Sequence, residues 1–422
     1  MKPVVVILND AAHVNGGAAK VALQSAVGLA RRGHRVILFS AVGPVALPSA
    51  ETLPEGLEVH CLEQPDILND PNRGRAFLRG LWNLSAARAL DEVLRGCDRE
   101  KTVIHVHSWT KALSSSVVRR AIRNGFQVLL TLHDYFSACP NGGFYNYQRG
   151  QSCDCPPLSV RCLVENCDSR SYSHKLWRAA RQVVQNRAGL LPRRTQNLLA
   201  ISEFSKAILR PYLPENSTIF SLCNPIDVVR QERVAVERNR ALVMVGRLAK
   251  EKGCGLFAAA VDALGLEGVL VGEGPCRNEI EAKHPSLEIT GWVGADRVAQ
   301  NLRRARALVF PSLLYEVQPL ALLEAAALGI PAIVPDRSAA MELVEDGETG
   351  LVFKSGDGED LADKIRLISE SPEFAADLGA AAYARYWANP PTLEKHLDGL
   401  QEIYEQICHR GVSAPGGWFG RG

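Results

Sequence analysis

Hydrophobic and polar positions divide the chain into short buried runs separated by amphipathic stretches. Val4–Leu8 is unbroken apolar sequence, the pattern of a strand buried on both faces. The loop NDAAHVNGG and a helix-like stretch from Ala18 to Arg31 follow it. RRGHRVILFS then reads as helix end, glycine turn and second strand, and strand-like runs recur at Thr102–His107 and Val128–Leu132. After Asn224 the pattern restarts. Strands are expected at Ala241–Val245, Gly268–Gly272, Ala307–Pro311 and Ile330–Val334, with helices at Gly255–Leu264, Pro319–Leu328 and Asp360–Ser369. Strands alternating with helices predict parallel sheets covered by helices. The expected fold is therefore α/β, with two doubly wound domains whose ligand-binding loop edges face each other across a cleft. The domains are placed at 1–228, with a cysteine-rich loop at 135–172, and at 229–385, with a hinge near Asn224–Arg240. A helix over 386–410 is expected to pack back on the first domain, and the Gly-rich tail 411–422 is expected to be mobile.

Composition changes this picture little. A chain of 422 residues is long enough for two cores. The formal net charge of +2 gives no field favouring nucleic acid. The start, MKPVVVILND, does not read as a signal peptide, and no apolar run is long enough to predict a spanning helix. Eleven cysteines, an odd number, point to a reducing, cytoplasmic setting and away from a disulfide framework. Arg-rich stretches at Arg178–Arg187 and Leu191–Arg194 suit either anionic headgroups at the inner membrane face or a solvated helix surface.

The candidate chemistry lies mostly in the second half. In VGRLAKEKG (Val245–Gly253), Arg247 follows a strand end at Gly246 and Lys252 comes five residues later. A diphosphate leaving group needs a divalent metal or fixed cations; Arg supplies a planar fork of donors and Lys a compact charge. VGEGP (Val271–Pro275) is a strand with a Gly-rich turn, a weak signal alone. In FPSLLYEVQPLALLEAAALGIPAIVP (Phe310–Pro335), Glu316 lies in a loop, Pro319 suits the first turn of a helix, and Glu324 falls in its second turn. Carboxylates among apolar flanks need partners, and the helix start between them offers N–H groups to a phosphate.

In this order and spacing, VGRL-x3-KG, GEGP and E-x7-E resemble the retaining glycosyltransferases of family 4, with the GT-B fold of two facing Rossmann-like domains. EDGETGLVF (Glu345–Phe353), the glycine loop with its helix NGGAAKVALQSAVGLARRGHRV, HVH (His105–His107), TLHDY (Thr131–Tyr135), AISEFSKA (Ala200–Ala207) and NPID (Asn224–Asp227) extend the likeness over nearly the whole chain. The resemblance implies an acceptor-side first domain and a donor-binding second domain, with a UDP- or GDP-linked sugar as donor. Arg247 and Lys252 would hold its diphosphate, Glu324 its ribose and Glu316 its sugar. His133 would sit beside the transferring sugar. Gly16, Gly17, Gly246, Gly274, Leu320 and Ala321 would line the nucleotide-sugar site. No catalytic metal is implied. A hexose would pass with retention to a glycan or lipid-linked saccharide, in cell-surface polysaccharide or exopolysaccharide synthesis. A sugar-nucleotide epimerase and a non-catalytic nucleotide-sugar binder are the alternatives on the same fold. Two departures stand out: Pro319 replaces the family's usual glycine, and SAAME (Ser338–Glu342) replaces a Gly-Gly-x-Pro-Glu form.

His105 and His107 are expected on opposite faces of their strand. Cys139, Cys153, Cys155, Cys162 and Cys167 crowd the loop after His133. A long irregular loop needs a staple, and structural zinc on Cys139, Cys153, Cys162 and Cys167 would supply one in a reducing compartment. Another metal centre, or free thiols or a disulfide, are the other readings. The loop's aromatics, Tyr135, Phe136, Phe144, Tyr145 and Tyr147, are expected either to stack on acceptor sugars or to form the loop's own core.

Overall fold

The computed structural model describes residues 2–48 and 52–413. The Gly-rich tail from residue 414 onward lies outside them. Nine strands belong to the first half: β1 Val4–Ala11, β2 Val36–Val42, β3 Leu57–Cys61, β4 Thr102–Val106, β5 Gln127–Leu132, β6 Tyr145–Asn146, β7 Gln151–Ser152, β8 Asn197–Ala200 and β9 Thr218–Ser221. Six belong to the second: β10 Ala241–Val245, β11 Gly268–Val271, β12 Glu288–Gly291, β13 Ala305–Val309, β14 Ala332–Pro335 and β15 Gly350–Phe353.

The first sheet has the order β3-β2-β1-β4-β5-β8-β9 and the second β12-β11-β10-β13-β14-β15. Their pairings are parallel, for example Val5 opposite Val36 and Val103, and Val243 opposite Val269. In both sheets the order reverses beside the first strand, between β1 and β4 and between β10 and β13. Doubly wound sheets open a crevice at such a switch point, outside the carboxyl ends of the strands.

The strand pattern explains the layers. Val5 and Ile7 of β1 enter one core, and their alternating neighbours Val6 and Leu8 enter the core on the other face. The helix Gly17–Arg31 covers the first of these. Against it lies the helix Leu393–Ser413, which sends Leu397, Leu400, Ile403, Tyr404 and Ile407 into the same core at helical spacing. Gly28 permits this contact, because a β-carbon there would collide with Leu397. Thus the end of the chain completes the core of the sheet that begins it. The second sheet has its own core, with Val243, Leu270, Leu308 and Ile333 at its centre.

The sequence reading located the longer buried runs within one to three residues. It missed β3, β8, β9, β12 and β15, each four or five residues long, too short to show periodicity. The expected helix from Pro319 starts at Leu320, with Pro319 as its cap. Among the described residues, no helix is long and apolar enough to cross a membrane.

Candidate active site

The site is built at the switch point of the second sheet. β10 ends at Val245; Gly246 follows with φ +151°, then Arg247, a turn of 3₁₀ helix at Lys250–Lys252, and Gly253 at φ +72° before the helix Cys254–Ala263. Any β-carbon on Gly253 would strike the carbonyl of Pro311, which follows β13. Glycine at this left-handed position lets the two switch-point loops press together. The Leu313 amide donates to the Glu251 carbonyl across the same seam, 2.9 Å. In consequence Lys252 Nζ lies 2.6 Å from Glu316 Oε1, and Ser312 Oγ donates to that same oxygen at 2.7 Å. The two charged side chains are 28% and 16% exposed, so the pair is open to a ligand but shielded from bulk water. Arg247 behaves differently. It is exposed and its guanidinium rests on the buried Glu251 carboxylate. Gly274 packs against the Leu248 backbone, leaving no room for a side chain.

Beyond Glu316 the chain enters the helix Leu320–Ala327, whose start carries no side-chain cap. The neighbouring Gln318 instead holds the interdomain segment, accepting from the Asn224 amide at 2.7 Å and donating to its carbonyl at 3.1 Å. Glu324 lies one turn into the helix. Burial raises its carboxyl above the usual range, and Lys20, from the first helix of the other half, opposes this. Among the described residues this carboxylate has no hydrogen-bond partner, and a buried carboxylate favours gaining one.

The facing edge carries histidines. His133 follows β5 and shares a proton with His107, Nε2 to Nδ1 2.9 Å, their rings stacked. The rings of His105 and His107 are 4.1 Å apart, which corrects the opposite-face expectation: residues two apart on a strand project to the same side. His105 is held by Tyr404 and Thr131, each at 2.7 Å. Burial pushes His133 down to about 3 and His396 to about 4, and also lowers His105 and His107 well below the usual histidine value. All four are neutral at pH 7. Asp134 next door is raised by burial to about 6, with the Phe136 amide opposing. Gly16 and Gly17 sit exposed at the start of the first helix, with nothing within 4 Å of an added β-carbon. The two edges meet directly. The Glu342 carboxylate of the second half accepts from the Glu203 and Phe204 amides of the first, and the Phe204 and Tyr315 rings are 5.6 Å apart, edge to face.

In the cysteine-rich loop, among the described residues, no group of three or more His, Cys, Asp or Glu side chains is placed as a metal site, so the expected set of Cys139, Cys153, Cys162 and Cys167 is not brought together as one. The buried ammonium of Lys175 points at the sulfurs of Cys162 and Cys167. The loop's aromatics largely pack on one another, Tyr135 on Phe144 and Tyr145 on Tyr147.

The structure thus brings Lys252 and Glu316 into contact, sets Glu324 on the helix that follows, and leaves Arg247 on Glu251. Sequence reasoning missed Ser312, Gln318 and Glu251. Ser312 and Gln318 stand inside the motif that supplied Glu316, so their polarity amid apolar neighbours was the available signal.

Two facing doubly wound sheets with a charged switch-point site define the GT-B architecture. The profile of the family described as Glycosyltransferase Family 4 matches residues 15–230, and that of Glycosyl transferases group 1 matches 239–371. The chain belongs to glycosyltransferase family 4. It is 27% identical to the alpha-D-kanosaminyltransferase of Streptomyces kanamyceticus over 195 residues, 42% of this chain and about half, 48%, of that relative. It is 26% identical to the glycogen synthase of Mycobacterium tuberculosis over 395 residues, 88% of this chain and 87% of the relative. In overall fold it is similar to the sucrose-phosphate synthase of Thermosynechococcus elongatus (TM-score 0.71, 19% identity, 97% of this chain and 100% of that one) and to HepE of Anabaena solved in complex with UDP (TM-score 0.66, 15% identity, 96% and 100%).

Proposed function

We propose that the protein is a retaining glycosyltransferase that moves a hexose from a UDP- or GDP-linked donor to a glycan or lipid-linked saccharide in cell-surface polysaccharide synthesis. The observation that carries this reading is the Lys252–Glu316 pair at the switch point, 2.6 Å apart, with Glu324 on the following helix. Lys252 meets the donor diphosphate, and Arg247 swings from Glu251 to share it, so that fixed cations replace a catalytic metal. Glu324 accepts from the ribose hydroxyls. Glu316, released from Lys252, accepts from hydroxyls of the donor sugar. His133, neutral and tethered to His107, presents its ring to the sugar from the facing edge. The amides of Leu320 and Ala321 and the backbones of Gly16, Gly17, Gly246 and Gly274 complete the cradle. The acceptor oxygen attacks the anomeric carbon on the face from which the diphosphate leaves. The carbon–oxygen bond to phosphate breaks as the new one forms, and the acceptor's proton passes to the departing phosphate oxygen. The loop 135–172 forms the acceptor-side wall, and Arg-rich helices of the first half bring the protein to the inner membrane face, where a lipid-linked acceptor resides.

A thermal-shift screen over UDP-, GDP- and ADP-linked sugars, followed by mass spectrometry of saccharide acceptors incubated with the stabilising donor, tests the reading. Stabilisation of a few kcal/mol at saturating donor and an acceptor heavier by one hexose are expected. Conversion of the donor alone to an epimer, or no stabilisation by any donor, would overturn it.

A further inference from the structure

A surface helix ordinarily turns its apolar stripe inward. The helix Tyr172–Arg187 does the reverse. Its buried residues are Lys175, Ala179, Arg181, Gln182 and Gln185. Each polar one finds its partners inside. Lys175 meets the sulfurs of Cys162 and Cys167, Arg181 the carbonyls of Thr110 and Pro140, and Gln182 that of Ser137. Gln185 donates to the Phe136 carbonyl and accepts from the Trp109 indole. The outward stripe is Tyr172, Leu176, Ala180 and Val183, spaced i, i+4, i+8 and i+11. Trp177 carries it onto the helix Arg73–Leu81. Its ring stands 6.1 Å from that of Phe77, and its N–H donates to the Phe77 carbonyl at 3.4 Å. Gly80 leaves room for this, since a β-carbon there would strike the indole. At the other end, the Tyr172 hydroxyl donates to the Leu163 carbonyl at 2.8 Å, which sets the short helix Val160–Val164 alongside. Leu176, Val183, Phe77, Leu78, Val160 and Val164 are 45–78% exposed. An apolar face shared by three helices marks a docking surface.

Charge names the occupant. The chain as a whole is nearly neutral, at +2. Yet between Asp70 and Asp91 it has four arginines and no acid, and between Asp168 and Glu203 seven Arg or Lys and no acid, so the remainder is net acidic. Arg161, Arg170 and Arg187 flank the apolar residues along the chain. All three are exposed and, among the described residues, form no ion pair with a carboxylate. Apolar side chains bordered by unpaired arginines suit the boundary of an anionic bilayer, where the acyl edge takes the first and the headgroups the second.

We propose that the helices Tyr172–Arg187, Arg73–Leu81 and Val160–Val164 form a bilayer-docking face. Leu176, Val183, Phe77 and Leu78 enter the acyl boundary of an anionic membrane, and Arg170 and Arg187 meet its headgroups. The face rests on the membrane contact proposed above for the transferase, and gives that contact its side chains. The inward side of the same helix holds the carbonyls of Phe136 and Ser137, three and four residues past His133. One helix, about 10 Å thick, therefore stands between the bilayer and the loop that starts at the cleft edge.

Flotation of the full chain tests this, with vesicles of equal parts phosphatidylglycerol and phosphatidylcholine and with phosphatidylcholine alone. The wild type is expected to float with the anionic vesicles and not with the neutral ones. The double variant Leu176→Ser, Val183→Ser should partition about tenfold more weakly or worse, through lost apolar burial. Arg170→Ala, Arg187→Ala should weaken binding at low salt, with the difference fading as salt screens the headgroups. Circular dichroism should match wild type throughout, because only exposed positions change. If Leu176→Ser, Val183→Ser does not fold, Phe77→Ser, Leu78→Ser decides. UDP and GDP binding, measured on the same samples, keeps the two readings apart. Nucleotide binding with no flotation overturns the docking face and leaves the transferase; flotation without nucleotide binding does the reverse. Flotation equal to wild type in both apolar variants would reduce the contact to charge and overturn the inserted face. So would a dimer, seen by light scattering, that Leu176→Ser, Val183→Ser breaks, because the stripe would then belong to a second copy.

Discussion

Lys252 and Glu316 satisfy each other; under the proposed function a donor separates them and gives each a new partner. Their effects on catalysis should therefore be large and their effects on folding small. Lys252→Ala and Glu316→Ala are each expected to lower kcat/KM for transfer by about 10²–10³, with circular dichroism unchanged. Steady-state kinetics of the purified variants checks this; activity within a few-fold of wild type in both would remove them from the site. The histidines give a prediction in pH. His133 titrates at about 3 when folded and near 6.5 when unfolded. Its folded value is depressed, so its contribution is present above 6.5 and is lost as pH falls towards 3. At pH 5 this loss is on the order of 2 kcal/mol. His105, His107 and His396 are lowered as well and add to it. Asp134, raised to about 6, works in the opposite sense, gaining stability as pH falls through 6, and offsets on the order of 1 kcal/mol by pH 5. Burial raises Asp10 and Glu324 too, and they work in the same sense as Asp134. The four lowered histidines outnumber these three carboxyls, so the melting temperature should fall between pH 7 and pH 5, and His396→Gln should flatten that fall. Equal melting temperatures at the two pH values would contradict the buried-neutral assignment. At this scale Glu316 and Glu324 stood out as candidates because their charges lie among apolar neighbours, and Lys252 because of its spacing from the strand end at Gly246. The histidine stack was hidden because His396 and Tyr404 lie some 300 residues from His105, and no spacing rule reaches that far.

At the scale of single elements, β13 shows how a polar residue can hold a strand. Arg306 is buried in it and donates to the carbonyls of Val236, Glu237, Asn239, Ile368 and Ser369 at 2.9–3.3 Å. It binds the chain entering the second sheet to the end of the helix Gly358–Glu370. Arg306→Ala leaves these acceptors unpaired and is expected to cost about 3 kcal/mol or more, measured by chemical denaturation; a loss under about 1 kcal/mol would show that water replaces it. An arginine inside an apolar run was the visible clue, but only the fold shows which carbonyls it serves. The cysteine-rich loop was legible as a loop from its crowded cysteines and aromatics. The contact of Lys175 with Cys162 and Cys167 was not, because Lys175 lies outside the crowd of cysteines, on the next helix.

At the scale of the whole molecule, two independent sheets are joined by few polar contacts: Glu342 on the amides of Glu203 and Phe204, and Gln318 on Asn224. The long helix at the end of the chain belongs to the first sheet, and returns there through Tyr404 on His105. With so few polar ties, opening and closing of the cleft about these contacts is the expected motion. Glu342→Ala should widen the molecule, seen as a larger radius of gyration in small-angle scattering, and donor binding should shrink it again. An unchanged radius would mean that apolar contacts such as Phe204 on Tyr315 hold the halves alone. The doubly wound class of both halves was legible because β1 and β10 are long apolar runs followed by glycine turns. The facing of the edges was an expectation from the repeated doubly wound pattern, which the family likeness shared, and Glu342 now gives it a specific contact. The central claim is that the switch point of the second sheet binds a nucleotide-sugar diphosphate through Lys252. Calorimetric titration of UDP and GDP into the wild-type chain and into Lys252→Ala tests it most directly. One nucleotide should bind the wild type at a single site, with affinity at least tenfold weaker in the variant, about 1.4 kcal/mol. Binding of neither nucleotide to the wild type, or equal affinity for both chains, would contradict it.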